Sequence, residues 1–219
     1  IKKENIDSLD WRDKGVINSV QDQGSCAAGY AFAAIQAVEA SIAIKGGDLI
    51  KLSEQEQIDC NSWCGGCNGG LSSDIYLFTL NFLNGTFVLE SDYPYTGTVG
   101  KCLFEEKPHT GKITDYGNVF NFDEDDLEAK VQVGPVSCTI DATTSAFQLY
   151  SGGIFDDESC SETVLNHGCC CIGFGSENGV KYWLVRNSFG TLWGERGYIR
   201  MIRKNNQCGI ASFASIPYA

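Results

Sequence analysis

The side chains in this sequence that are best suited to catalytic chemistry are those of two histidines and eleven cysteines. His167 stands just before an apolar segment, and Asn187 follows it twenty residues later. His109 lies beside a proline in a polar stretch, which is typical of a surface loop. An imidazole and a thiol are the two groups that cysteine-type nucleophilic catalysis needs. A single histidine near a strand is more often structural, so the surrounding motifs decide which interpretation is better.

Short motifs surround these residues in a specific order along the chain: Gln23-Gly24-Ser25-Cys26, Cys67-Asn68-Gly69-Gly70, Asn166-His167-Gly168 and Asn187-Ser188. Their spacing resembles that of the papain family of cysteine proteases, in its cathepsin-L-like form. The similarity runs from Asp10-Trp11-Arg12 to Cys208-Gly209-Ile210 and so covers nearly the whole chain. Residues 89–95 and 208–212 resemble, more narrowly, the cathepsin-L-like proteases of parasitic protozoa.

The resemblance implies a catalytic cysteine three residues after Cys26, and that position is Gly29. It implies that His167 is the general base and acid, and that Asn187 orients its ring by a hydrogen bond. Gln23 is implied to donate its side-chain amide to an oxyanion, together with a backbone N–H near Gly29. Because glycine has no side chain, we predict that the chain as written binds peptides without cutting them.

Substrate contacts follow from the same resemblance. Gly69 and Gly70 are implied to pair with an extended peptide backbone, which the missing Cβ atoms allow to approach closely. The remaining residues implied to contact substrate are Leu71, Thr139, Leu165, Asn166, Gly168, Trp193 and Phe213. The main specificity pocket is expected to be apolar, with Phe213 at its base and no acidic residue. It is therefore expected to accept a medium-sized hydrophobic side chain.

The cysteine content indicates an oxidising compartment, and the odd total leaves at least one thiol without an intramolecular partner. The resemblance implies three bridges, Cys26–Cys67, Cys60–Cys102 and Cys160–Cys208. Cys169 and Cys171 share a strand face with His167, but they are expected to be buried rather than to replace the nucleophile. One C-x-x-C, formed by Cys64 and Cys67, is a weak metal signal, so we expect no metal and no cofactor. An extra bridge is favoured over a metal site, and Cys138 and an outside thiol are both open as partners of Cys64.

Composition restricts the compartment and the partners. The net charge is −12, which disfavours nucleic acid and anionic membranes as partners. No apolar run approaches a membrane span, and the absence of a leader at Ile1 suggests a processed form. We expect a monomer that is secreted, lysosomal or vesicular, in an oxidising and acidic compartment. Asn84 carries the N-glycosylation sequon at a predicted helix end.

The hydrophobic pattern divides the chain into two halves. Helices are predicted over 30–45, from Ser53 towards Cys60 with a capping box, and over 74–83. Strands are predicted over 136–140, 168–174, 182–186 and 198–202, with one helix over 123–131. The fold class is therefore α+β. The resemblance implies a single papain-like peptidase domain over 1–219. Its helical lobe spans about 10–110 and its β-barrel-like lobe about 111–210, with a cleft between them and the termini crossing over.

Three functions remain open on the sequence. The first is a natural, non-cleaving relative that binds peptides, cystatin-type inhibitors or its own pro-segment. The second is an active lysosomal or secreted protease that an engineered Cys-to-Gly change at position 29 has disarmed. The third is a non-enzymatic binding or surface-antigen protein on a protease fold, which predicts no affinity for the inhibitors of the family.

Overall fold

The computed structural model describes residue 4 and residues 6–219, so positions 1–3 and 5 of the predicted domain lie outside the described residues. Within the described part the chain forms five α-helices and ten strands. The helices are α1 (Gly29–Ile44), α2 (Glu54–Cys60), α3 (Ser72–Phe82), α4 (Glu124–Val131) and α5 (Ser145–Gln148). The strands are β1 (Leu9–Asp10), β2 (Thr86–Val88), β3 (His109–Lys112), β4 (Asp115–Asn118), β5 (Val136–Ile140), β6 (Ile154–Phe155), β7 (His167–Glu177), β8 (Val180–Arg186), β9 (Tyr198–Ile202) and β10 (Phe213–Tyr218).

The α+β prediction is confirmed. Among the described residues, eight strands form one sheet in the order β4-β10-β5-β7-β8-β9-β6, with β1 paired to β7, and β2 and β3 form a second sheet. The predicted helices and strands are present with small shifts at their ends. The sequence did not predict helix α5 or the strands β1, β4, β6 and β10. Nor did it predict β2 and β3, which place a strand pair in the helical half. Both are short, and β3 carries little apolar alternation, so the pattern gave no strand signal.

Of the four hydrophobic clusters among the described residues, the two largest underlie the two halves. One core is formed mainly by α1, α2 and α3, and its largest side chains include Phe32, Tyr76 and Phe87. The other lies inside the large sheet, around Phe147 and Trp183. The groove described below lies where these two halves meet.

Helix α1 lies between the two cores. It is rich in alanine, and every residue from Gly29 to Ala40 is buried. A helix that is apolar on all sides is stable only when other elements surround it. Accordingly α1 packs against α2 and α3 on one side and against β5, β7 and β10 on the other. This packing fixes the position of its first residue, Gly29.

The predicted capping box at α2 forms only in part. Ser53 Oγ accepts a hydrogen bond from Glu56 N at 3.0 Å, as a helix N-cap should. The Glu56 carboxylate does not return to Ser53 N, which instead donates to Val88 O at 2.9 Å. Glu56 Oε2 accepts from Val88 N at 2.8 Å. Hydrogen bonds to Val88, which is distant along the chain, therefore replace the bond from Ser53 N to the Glu56 side chain that would complete the capping box.

Both ends of the described chain contact elements that are distant in sequence. Strand β1 pairs antiparallel with β7, with Leu9 opposite Phe174. At the other end, Ala219 N donates to Ser41 Oγ on α1 at 3.0 Å. None of the helices in the described part of the chain has both the length and the apolar character required to cross a bilayer.

Candidate functional site

The site is built on the N-terminus of α1. A disulfide between Cys26 and Cys67 holds the segment that precedes the helix, and Ala27 N donates to Cys67 O at 3.1 Å. No described residue accepts a hydrogen bond from the N–H of Gly29. Because the first amides of a helix have no partner within it, this N–H is available to a ligand.

His167 begins β7 and lies directly over this helix end. Its Nε2 donates to Asn187 Oδ1 at 2.7 Å, and Ser188 N donates to the same oxygen at 2.8 Å. The hydrogen bond assigns the proton of the neutral ring to Nε2 and leaves Nδ1 as an acceptor. Burial lowers the pKa of His167 below its usual value, although the bond to Asn187 offsets part of this shift. The imidazole is therefore neutral at pH 7.

The His167 ring occupies the space beside Gly29 into which a side chain would project. A Cβ atom built on Gly29 would stand 2.8 Å from both Cε1 and Nδ1 of the ring, and 2.9 Å from Gly168 O. Real Cβ atoms do not approach other atoms this closely. Gly168 is also required, because its own Cβ would lie 2.6 Å from Tyr30 N. The close approach of β7 to α1 therefore depends on two glycines.

Gln23 lies at the same helix end. It is buried, and its Nε2 donates one hydrogen to Cys26 O at 2.9 Å, which leaves the second hydrogen unused. Its Oε1 accepts from Ser188 Oγ at 2.6 Å. Ser188 thus fixes the orientation of the amide, a role that the sequence analysis missed. Its position directly after Asn187 in the quoted motif was the available signal.

A groove of about 340 Å³ contains most of the expected site. Its lining brings together residues from the N-terminus of α1, the Cys67–Gly70 segment and the start of β7. The predicted residues on this lining are Gln23, Gly29, Gly69, Gly70, Leu71, Thr139, Leu165, Asn166, His167 and Gly168. Ala27, Tyr30 and Asn68 complete it.

A second pocket of about 200 Å³ adjoins the groove and shares Leu71 and Thr139 with it. Phe213 lines this second pocket and remains 54% exposed. The lining includes no acidic residue, but it is more polar than the sequence suggested. Besides the shared Thr139, its polar side chains are Ser72, Ser73, Asn118, Asn121, Ser212 and Ser215.

Two of the predicted residues lie behind the groove. Asn187 is buried beneath the His167 ring. Trp193 packs on Phe147, with ring centroids 5.1 Å apart, and its Nε1 donates to Phe147 O at 3.2 Å. Phe189 lies between them, with its ring centroid 4.7 Å from that of His167. These aromatic rings shield the bond between His167 and Asn187 from water.

The groove wall near Asn166 is fixed by a buried carboxylate. Asp141 Oδ1 accepts from Asn166 Nδ2 at 2.9 Å, and its Oδ2 accepts from Ser161 N at 2.8 Å. Burial alone would raise the pKa of Asp141. The hydrogen bonds from Ser161, Thr143 and Asn166 outweigh it and lower the pKa to about 2. The carboxylate is therefore ionised at any physiological pH and holds Asn166 in place.

The free thiols do not provide another nucleophile. Cys169 and Cys171 are buried in the sheet core, and burial raises the pKa of both thiols. Cys138 and Cys170 are buried as well. Cys64 is half-buried and forms no disulfide, so of the two partners left open for it Cys138 is excluded; burial raises the pKa of Cys64 to about 11. A thiol with so high a pKa carries little thiolate at neutral pH.

The structure contains the three disulfides that the resemblance implied, Cys26–Cys67, Cys60–Cys102 and Cys160–Cys208. Since Cys67 is bonded to Cys26, the C-x-x-C at Cys64 has only one free thiol. Within the part of the chain that the structure describes, no three His, Cys, Asp or Glu side chains converge to hold a metal ion.

Two further predicted positions lie on the surface. Asn84 is exposed in the turn after α3, with a positive φ of 53°. His109 is exposed as expected, but it begins strand β3 rather than lying in a loop, and its ring stacks on Phe104 with centroids 3.9 Å apart. His167 is therefore the histidine at the candidate site.

The sheet, the central helix and the groove between two cores together define a papain-like α+β protein. The model of the papain family of cysteine proteases matches residues 6–218. The chain therefore belongs to the papain family of cysteine proteases.

Similar proteins include a cysteine proteinase of Brassica napus, COT44, which is 47% identical over 96% of this chain and 65% of its own length. Cathepsin L of Sarcophaga peregrina is 42% identical over 96% of this chain and 63% of its own length. The chain thus spans just under two thirds of the length of these relatives. The bromelain protease of Ananas comosus, solved with the E64 inhibitor, superposes with a TM-score of 0.91 at 39% identity, covering 97% of this chain and 99% of its own. Digestive procathepsin L 3 of Tenebrio molitor superposes with a TM-score of 0.93 at 39% identity, covering 100% of this chain and 71% of its own.

Proposed function

We propose that this chain is a non-cleaving member of the papain family that binds extended peptides in its groove. The observation that carries this proposal is the contact between His167 and Gly29. The imidazole that would activate a thiol rests against bare backbone, 2.8 Å from where a Cβ would stand. In this proposal Gly29 occupies the nucleophile position, while Gln23, His167 and Asn187 keep the remaining catalytic positions.

The chemistry of the groove lining supports the absence of cleavage. Among its described residues there is no cysteine and no serine, and the only hydroxyl groups are those of Thr139 and Tyr30. Tyr30 Oη is committed to Gly66 O at 3.0 Å, and burial raises the pKa of this phenol. An enzyme that loses a member of its catalytic triad keeps only about 10³–10⁴ of acceleration over the uncatalysed reaction. For peptide hydrolysis such a residual rate is negligible.

Peptide binding is supported by the two glycines opposite His167. Gly69 has a positive φ of 104°, and no described atom lies within 4 Å of its Cβ position, so the backbone there is open to an extended peptide. Gly70 packs against the wall behind it, because its Cβ would lie 2.7 Å from Cys64 Sγ. We propose that Leu71, Thr139 and Leu165 receive a hydrophobic side chain. Phe213 and the polar atoms of the adjoining pocket limit its size.

Partners, compartment and domain organisation are part of the same proposal. Cystatin-type inhibitors and the pro-segment of the protein would occupy the same groove, and the Tenebrio molitor procathepsin supports the second of these. Three disulfides and the similarity to cathepsins favour a secreted or lysosomal location. We further propose one peptidase domain with two lobes meeting near residue 110, and a glycan at the exposed Asn84.

The test is to measure hydrolysis and binding with the same ligands. We expect no turnover of a fluorogenic peptide with leucine as its second-last residue, and no adduct of a thiol-directed epoxide at position 29 by peptide mapping. Saturable binding of the corresponding non-cleavable peptide is expected by fluorescence polarisation. Turnover at the rate of an active family member would overturn the proposal. Absence of both peptide and cystatin binding would favour a non-enzymatic surface or storage protein instead.

A further inference from the structure

The end of helix α3 presents an apolar surface to solvent. The exposed residues of this helix are Leu77, Asn81 and Phe82, and none of them carries a charge. The exposed face of a helix is normally charged or polar. Phe82, the last residue of α3, is 61% exposed. A single exposed phenylalanine would need no explanation, but this one belongs to a cluster of aromatic rings.

The aromatic cluster consists of Trp63, Phe78 and Phe82. The ring centroid of Phe82 lies 5.5 Å from that of Trp63 and 5.1 Å from that of Phe78. Phe78 is buried beneath the other two, whereas Trp63 remains 46% exposed. Trp63 N donates to Asn61 Oδ1 at 3.0 Å, which fixes the loop that carries the indole. The two outer rings are thus held in position while much of each remains open to solvent.

A second, independent observation is the position of the glycosylation sequon. Asn84 stands two residues after Phe82, and two residues of chain span at most about 7 Å. Asn84 is exposed and has a positive φ of 53°, in the turn that follows α3. Gly85 N donates to Thr79 O at 2.9 Å and holds this turn against the helix. A sugar on the side chain of Asn84 therefore begins within reach of the aromatic cluster.

We propose that the aromatic cluster is a platform for the N-glycan of Asn84, whose first N-acetylglucosamine packs on the rings of Phe82 and Trp63. This rests on the glycan proposed above and not on peptide binding. Glycosylation forms a bond from Asn84 Nδ2 to sugar C1, breaks the bond from C1 to the diphosphate of a lipid-linked donor, and releases one Nδ2 proton. The sugar ring has an apolar face of C–H bonds, and packing it on the rings removes apolar area of both partners from water. Its hydroxyl groups stay at the edge, in water.

The platform is separate from the groove. Ser72, at the start of α3, lines the pocket that adjoins the groove, and Phe82 lies at the other end of the same helix. Ten residues of helix correspond to about 15 Å at a rise of 1.5 Å per residue. Neither Trp63 nor Phe82 lines the groove or the adjoining pocket. A sugar packed on the aromatic cluster therefore does not occupy the peptide site, and the two proposals can be tested separately.

The test compares two glycoforms of the full chain, secreted from yeast, with occupancy of Asn84 measured by peptide mapping. Endoglycosidase H trims one portion to a single N-acetylglucosamine. Peptide N-glycosidase removes the whole glycan from a second portion and leaves Asn84→Asp. Hydroxyl-radical footprinting read by mass spectrometry is expected to show Trp63 and Phe82 reacting about twofold more slowly in the one-sugar form, because the sugar covers their open faces. Phe120, which is 73% exposed, is the internal control and is expected to react equally in both forms.

Thermal unfolding of two variants locates the contact. In the parent protein the one-sugar form is expected to unfold about 2–4 °C higher than the sugar-free form. In Phe82→Ala this difference is expected to fall to less than half. Phe120→Ala removes an exposed ring beside Val119 and Asn121, which line the pocket at the other end of α3, and is expected to keep the full difference. Footprinting needs no variant, so a failure of Phe82→Ala to fold does not prevent the test.

The outcomes separate the platform from the glycan and from the groove. Equal reactivity of Trp63 and Phe82 in both glycoforms would overturn the platform and leave the glycan in place. A difference in unfolding temperature that Phe82→Ala leaves unchanged would overturn it as well. Protection of the two rings that rises with protein concentration in the sugar-free form would assign the cluster to a second copy of the chain instead. An unoccupied Asn84 would overturn the glycan and the platform together, without affecting peptide binding.

Discussion

The His167 ring occupies the space that a side chain at position 29 would need. The ring lies against the backbone of Gly29, held from behind by Asn187 and covered by Phe189. Because Gly29 has no side chain, the His167 ring can lie against the backbone of the helix. This contact has consequences for stability and for the titration of the ring.

Adding a side chain at position 29 should destabilise the fold. We expect Gly29→Ala and Gly29→Cys each to lower the free energy of unfolding by about 1–3 kcal/mol, because the new Cβ overlaps the His167 ring and Gly168 O. Urea denaturation followed by circular dichroism measures this change. Gly134→Ala is the control: its Cβ would meet Ile44 Cδ1 at an ordinary 3.4 Å. If Gly29→Ala is as stable as Gly134→Ala, the ring does not occupy this space in solution.

The bond between Asn187 and His167 should be visible in the titration of the ring. Burial lowers the pKa of His167 and the Asn187 acceptor raises it. We therefore expect an NMR titration midpoint below 6.5 in the parent protein, and a still lower midpoint in Asn187→Ala. Asn81→Ala removes an exposed amide on α3 and is expected to leave the midpoint unchanged. A higher midpoint in Asn187→Ala would mean that the bond does not favour the protonated ring.

At the scale of elements, two helices position the site differently. Helix α1 has no side-chain N-cap, and its start is fixed by the Cys26–Cys67 bridge and by packing on both cores. Helix α2 has a local cap at Ser53, and it packs against the turn over residues 66–68 beside the groove. The N–H of Gly29, at the N-terminus of α1, has no acceptor among the described residues and faces the groove.

Removal of the α2 cap should cost measurable stability. We expect Ser53→Ala to lower the free energy of unfolding by about 1–2 kcal/mol, since Ser53 Oγ caps Glu56 N and donates to Tyr93 O at 2.6 Å. Chemical denaturation provides the measurement. Ser91→Ala, at an exposed turn position, is expected to stay within about 0.5 kcal/mol of the parent. Equal effects of the two substitutions would show that the cap contributes nothing.

At the scale of the whole molecule, buried carboxyl groups link stability to pH. Glu54 and Glu56 on α2 are buried, and burial raises the pKa of Glu54 to about 7 and that of Glu56 to about 8. Both groups hold a proton in the folded protein at a pH where the unfolded chain has lost it. Their contribution to stability is thus fully present below about pH 4.5 and is lost as the pH rises through 7 to 8.

We therefore expect the midpoint of urea denaturation to be higher at pH 5 than at pH 8. Glu56→Gln is expected to reduce this difference, because its amide does not titrate. Glu105→Gln, an exposed residue, provides the matched control and is expected to keep the full difference. A protein that is more stable at pH 8 would contradict the assignment. The expected trend agrees with the proposed acidic compartment.

Several features followed from the sequence because local chemistry dictates them. The alanine-rich segment after Ala28 forms a helix, and the β-branched segments from Val136 onward form strands. That Gly29 and His167 share one site followed instead from the resemblance to the papain family. The capping box predicted at α2 was only half right, because Ser53 N and the Glu56 carboxylate both bond to Val88 instead of to each other. Strand β3 was missed because backbone pairing with β2, rather than side-chain pattern, defines it.

The amino-acid sequence by itself determined that position 29 lacks a thiol and that the chain shares its motifs with the papain family. Only the tertiary structure decided where the His167 ring lies and which donors remain unused beside it. It also decided that Cys64 has no partner and that Ser188 orients Gln23. The reason is physical: these properties depend on distances between residues that are far apart along the chain, and only the packing of β7 against α1 sets those distances.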